Sequence, residues 1–275
     1  MIDFRKNLII IIFLLIGAVI TLLSLNLDSS WRKQQAGIFD SYSIPVNLPK
    51  KISKGAVNFF ELNGSGKVVF YEESDSIVYE TDLDGKNKKE LARIPGVLKI
   101  VFSPLGHELV ATVSAEKNTL KKYYFDLKKN IKVELPKDAK NLIFSPDGRE
   151  IAYYFYDDKA GEGSISMADP NGSDSRTIFK TRIKNPTLIW PQNDLIVFYL
   201  KKEGDQSLAF SIRPDGKEFQ RLTEEELILY ASREIKETST LKELGIETTI
   251  VKLSPLKDHL IFLNTRDGKL YSLGL

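Results

Sequence analysis

The sequence predicts an all-β fold, a β-propeller of about five four-stranded blades with room for a shortened sixth, preceded by one N-terminal transmembrane helix. Three observations predict it. An apolar run, a turn holding Pro or Gly, and a second apolar run recur five times, at intervals of 40, 42, 45 and 64 residues. Asx-Gly dipeptides fall between these units, where a second hairpin needs its turn. A run of 18 uncharged residues, Leu8 to Leu25, stands near the start.

The composition agrees with a packed, strand-rich chain. Of 275 residues 42% are hydrophobic and 28% charged, which excludes a disordered polymer. Fifteen Phe and 11 Tyr stand against 2 Met and 2 Trp, a weighting that favours strands. The net charge of +2 gives no strong global pull toward nucleic acid, and none is expected as a partner. The absence of Cys excludes a disulfide scaffold, a thiolate metal site, a cysteine nucleophile and a lipid-modified N-terminus.

Taken in order, residues 1–7 read as a short cytoplasmic tail and residues 8–26 as a signal-anchor helix. At 1.5 Å per residue the uncharged run spans roughly 27 Å, close to the hydrocarbon thickness of a bilayer. The segment behind it, SLNLDSSW, lacks the small-x-small pattern of a cleavage site, which favours an anchor over a cleaved signal. Arg5 and Lys6 on one side balance Arg32 and Lys33 on the other, so charge alone does not orient the helix. A short basic tail before a long C-terminal domain places the N-terminus inside and the bulk outside. Residues 27–54 form a tether. Within it Ile38 to Val46 alternates enough to be a strand.

Residues 55–275 carry the repeats. Four units centre on Pro104, Pro146, Pro191 and Pro255, and an earlier copy has Gly64 at that place. Pro removes a backbone donor where the chain leaves a sheet. Asp84-Gly85, Asn171-Gly172, Asp215-Gly216 and Asp267-Gly268 supply the positive φ angles of tight hairpins. Each unit therefore reads as four short antiparallel strands. In the third these fall near 140–144, 149–156, 163–168 and 175–180. The 64-residue interval is the exception. Thr223 followed by Glu226 has capping-box spacing and opens a helix. Equally, Glu226 to Ser232 and Leu241 to Leu244 read as strands left from a shortened sixth blade. The last unit has only three strands, with the second at His259–Asn264 and the third at Lys269–Leu273. Ring closure then needs a strand from elsewhere, and Ile38 to Val46 is the expected donor.

The stretch Phe144-Ser-Pro-Asp-Gly-Arg-Glu-Ile-Ala-Tyr153 resembles the consensus of the TolB-type, WD-like propeller repeat, which also builds the propeller of the dipeptidyl peptidase IV family. The resemblance covers about residues 55 to 275 as a repeat pattern. It implies a propeller, and protein partners met on its loop faces. One such fold hosts many activities, so function must come from the site.

Catalytic signatures are scarce. No Gly-x-Ser-x-Gly occurs, and Asn63-Gly-Ser-Gly-Lys67 is neither a nucleophile elbow nor a phosphate loop. His107 and His259 both follow a blade turn on separate blades, too far apart for a metal pair. Asp169-x-Asn171-Gly172-x-Asp174 reads as an Asx turn rather than a calcium loop. No metal, cofactor or enzymatic activity is expected. What remains is a set of lysines where the innermost strands begin: Lys99, Lys140, Lys184 and, less well aligned, Lys252. Around one channel mouth they would focus positive potential on an acidic partner. Carboxylates at that place number two, Asp138 and Glu247. The reading is a membrane-anchored, extracytoplasmic binding module for a protein partner of the cell envelope, touching lipid only through residues 8–26. The alternatives are a ligand or polysaccharide binder using the channel and, third, a hydrolase.

Overall fold

A computed structural model of the chain describes residues 48–115, 119–200, 207–231, 241 and 246–275. The expected anchor at 8–26 and the expected closing strand Ile38 to Val46 lie outside the described residues. Among the described residues no helix is long and apolar enough to cross a membrane.

Five four-stranded antiparallel sheets make up the described chain. Blade 1 holds β2 (Val57–Leu62), β3 (Val68–Glu72), β4 (Ile77–Thr81) and β5 (Lys89–Arg93). Blade 2 holds β6 (Val97–Phe102), β7 (Glu108–Ser114), β8 (Leu120–Asp126) and β9 (Ile131–Leu135). Blade 3 holds β10 (Lys140–Phe144), β11 (Ile151–Asp157), β12 (Glu162–Ala168) and β13 (Arg176–Thr181). Blade 4 holds β14 (Thr187–Gln192), β15 (Leu195–Leu200), β16 (Leu208–Ile212) and β17 (Gln220–Leu222). Blade 5 combines β18 (Thr248–Leu253), β19 (His259–Asn264) and β20 (Leu270–Gly274) with β1 (Lys50–Lys51). The fourth strand of the last blade thus comes from the front of the chain. Lys50 pairs with Ser272 and Lys51 with Tyr271. Ile52 N then donates to the Leu270 carbonyl at 2.8 Å, and Ser53 Oγ accepts from Leu270 N at 3.0 Å.

The core lies between blades. Val68, Val69, Phe70 and Tyr71 are all buried, because both faces of a blade meet a neighbour. Successive residues serve opposite neighbours. Val69 and Tyr71 pack toward blade 2, and Val68 and Phe70 toward blade 5. Between blades 4 and 5 the plan changes. Val197 and Ala209 of blade 4 are covered by Leu227 and Tyr230, while Val251, Leu260 and Phe262 of blade 5 are covered by Leu241 and Ile246. The extra residues behind the 64-residue interval therefore supply apolar cover. Their first part is α1 (Glu224–Ala231), so Glu226 to Ala231 is helix rather than strand, while most of the other expected strand, Leu241 to Leu244, lies outside the described residues. The capping box closes it: Thr223 N donates to Glu226 Oε2 at 2.8 Å, and Glu226 N donates to Thr223 Oγ1 at 3.2 Å.

The turns lock one blade to the next. Gly106, at φ +72°, sits where a Cβ would lie 2.3 Å from Asn63 Cβ of blade 1. Gly148 of blade 3 presses in the same way on Ser103 of blade 2, where a Cβ would stand 2.7 Å from Oγ. Blade 4 departs from this plan. Pro191 is not in a turn but inside β14, where Trp190 and Pro191 face the single residue Ile196 as a bulge. The missing donor of Pro is accommodated there, and Asn193-Asp194 makes the turn instead.

Candidate binding site

Each blade is a meander, so the inner strands β2, β6, β10, β14 and β18 all start on one face of the ring, here the upper, and run toward the lower. In blades 1, 2, 3 and 5 the inner strand carries one extra residue near its start. Leu98 is such a residue, lying between the Val97–Val113 and Lys99–Thr112 pairs. These bulges set which side chains line the axis at the upper end.

In blade 2 the register forms a row. Lys99 of β6 lies opposite Thr112 of β7, which lies opposite Lys122 of β8. Directly opposed residues share a face, so the two lysines stand on one side of the blade, with backbones about 10 Å apart at two strand spacings. Lys140 and Asn141 at the start of β10 and Asn185 ahead of β14 complete the wall. Together they border an open hollow of 270 Å³. Lys122 Nζ donates to the Lys137 carbonyl at 2.7 Å. Burial pushes the Lys122 ammonium below the usual lysine range; Asp138 opposes this, and Lys140 and Lys99 add to it. Among the described residues none of the three lysines forms an ion pair with a carboxylate.

The other two predicted lysines do not join this hollow. Lys184 Nζ stands 4.9 Å above the ring centroid of Tyr156, a cation–π contact. Lys252 Nζ meets Glu61 Oε1 at 2.7 Å and Oε2 at 2.8 Å, joining the inner strands of blades 5 and 1. Its charge is neutralised, and it faces a second recess of 260 Å³ beside Phe60, Glu61 and Ile250. Lys122 was missed by sequence reasoning because it lies on a third strand. The signal was present: in Leu120–Asp126 it occupies a mid-strand position on the same side as Tyr124 and Asp126, both buried.

The remaining candidates fall into turns. Asn63 Oδ1 accepts from Ser65 N, Ser65 Oγ and Lys67 N at 3.1, 2.7 and 2.9 Å, an Asx turn. Asp169 takes the Gly172 amide on its carbonyl at 2.8 Å. His107 Nδ1 lies 3.1 Å from the Leu105 carbonyl, and His259 Nδ1 lies 3.1 Å from Asp258 Oδ1, on separate blades. Asp138 stands beside Lys122, whereas Glu247 precedes β18 and uses its carbonyl to hold Thr265. Among the described residues no group of three or more His, Asp or Glu is placed to hold a metal.

No protein-family model matches the chain, and no curated protein matches it in sequence. Several solved structures are similar to it over most of its length at low identity. TolB from Acinetobacter baumannii is 15% identical, with a TM-score of 0.44 over 81% of this chain and 55% of that one. A putative TolB from Agrobacterium tumefaciens is 14% identical, with a TM-score of 0.44 over 80% and 77%. The β-propeller domain of the Trilobed protease from Pyrococcus furiosus is 15% identical, with a TM-score of 0.45 over 79% and 82%. The chain spans about half the length of the Acinetobacter protein.

Proposed function

We propose that this chain is a non-enzymatic binding module, held on the outer face of a membrane by residues 8–26, that receives a protein partner on the upper face of its propeller. One observation supports it above the others. Lys99, Lys122 and Lys140 converge on an open hollow with no carboxylate paired to them among the described residues. Asp138 stands beside Lys122 without pairing to any of the three, so most of the positive charge is unopposed; concentrating it costs stability, and a ligand of opposite charge recovers that cost. A polysaccharide binder would be served by aromatic platforms, and no aromatic ring is among the residues lining the hollow.

The test is chemical cross-linking in intact cells expressing the full chain, with the captured protein identified by mass spectrometry. A protein captured reproducibly by the wild type supports the reading. Capture of nothing but lipid or glycan overturns it. Protease added to intact spheroplasts checks the orientation: the propeller is digested if it lies outside and survives if it does not.

A further inference from the structure

We propose that the lysine hollow and its apolar rim form a docking site for a short acidic peptide segment of a partner protein, with carboxylate side chains in the hollow and aliphatic side chains on the rim. The proposal rests on the reading above and names the chemistry of the partner.

Size comes first. A volume of 270 Å³ admits one or two side chains, not a folded surface or a drug-sized ligand. Charge comes second. The three amines are monodentate donors on flexible stems, suited to carboxylates arriving at several angles. No Arg fork is among the lining residues, so no bidentate geometry selects between anions, and the choice of a peptide rests on the apolar rim. Lys122 is already partly stripped of water, so an arriving carboxylate meets it at a lower effective dielectric than at an open surface.

The rim supplies the third argument. Leu98, the bulge residue beside Lys99, is 56% exposed, and Leu120, two residues before Lys122, is 54% exposed. Both lie at the upper end of blade 2, and the exposed Phe155 lies near the upper end of β11 in blade 3. Apolar side chains grouped beside lysines match a segment that alternates carboxylates with aliphatic residues. An anionic bilayer would offer a similar mixture of charge and grease, but a hollow of 270 Å³ admits one or two side chains rather than a flat array of headgroups.

Fluorescence anisotropy on the full chain, purified in neutral detergent, tests this with a labelled peptide of alternating Glu and Leu residues. Binding should weaken with salt, fall about tenfold or more for each of Lys99→Glu and Lys140→Glu, and fall also for Leu98→Ser. Both lysines are exposed and each reversal relieves like-charge repulsion in the cluster, so the variants should melt at or above the wild-type midpoint, and weaker binding is not loss of fold. A Glu–Ser peptide should bind more weakly than the Glu–Leu one. No binding, binding unaffected by the Glu variants, or preferential competition by inorganic phosphate or by phosphatidylglycerol vesicles would overturn the proposal. If the cross-linked partner is still captured by the double Lys99→Glu, Lys140→Glu chain, the hollow is excluded while the binding-module reading survives.

Discussion

Replacing Gly106 by Ala should destabilise the propeller more than replacing Gly66, although the two glycines hold equivalent turns with nearly equal backbone angles, φ +72° and +76°. The left-handed conformation costs an alanine about 1–2 kcal/mol at either site, partly offset by the stiffer unfolded chain. Space separates them. A Cβ on Gly66 meets nothing within 4 Å, whereas one on Gly106 lies 2.3 Å from Asn63 Cβ and 3.3 Å from Asn63 Cα. Asn63 cannot swing aside, because its Oδ1 holds the blade 1 turn through three hydrogen bonds. Overpacking of this kind adds about 1–3 kcal/mol. For a domain of this size that is a further drop in midpoint of about 2–12 °C. Thermal melts of the two single variants, followed by circular dichroism under one set of conditions, give the difference. Equal shifts, or a larger one at Gly66, would refute the idea that turn-to-turn contact joins blades 1 and 2.

Other outcomes follow from the same geometry. Glu61→Gln leaves Lys252 half-stranded between blades and should cost about 1–2 kcal/mol, with the Glu61→Gln, Lys252→Met double variant costing less than the two singles summed. Ile52→Ala, at the ring closure, should cost about 2–4 kcal/mol in a chemical denaturation curve. Thr223→Ala should cost about 1 kcal/mol, read as faster amide exchange in α1. Lys122→Met should raise the midpoint at neutral pH. Burial depresses the ammonium's pKa in the folded state, so its charging opposes folding at any pH below that value. The penalty fades as pH climbs toward 10.5, and the advantage of the variant should shrink there.

The blade pattern was open to reading because its signals are local. Pro-Gly turns and alternating apolar residues act within a few positions, and β10 (140–144) and β19 (His259–Asn264) fall where that pattern puts them. The closing strand was harder. Ile38 to Val46, the expected donor, lies outside the described residues, and the strand described in the last blade is Lys50–Lys51, two exposed lysines paired through backbone. A pairing that uses no side chain leaves no side-chain signature. Lys252 shows another limit. Its position along the inner strand is readable, but its partner Glu61 lies 191 residues away, and only the closed ring brings them together. Pro191 misled for a local reason: the bulge that tolerates it is a property of the paired strand, not of the residue.

The two-residue strand β1 also bears on the order in which the molecule is made. Blades 1 to 4 each draw their strands from consecutive chain, so each can form as it leaves the ribosome. Blade 5 cannot. Its outermost strand precedes the other described strands in the chain and finds its partner only when Tyr271 and Ser272 have been made. Bringing those ends together carries a loop-closure entropy cost that is recovered only when the last blade docks. Closure is then expected to follow the formation of blades 1 to 4. Until it occurs, the apolar flank of blade 1 formed by Val68 and Phe70 lacks its cover from Ile261, Leu263 and Leu270, a surface open to association with other chains.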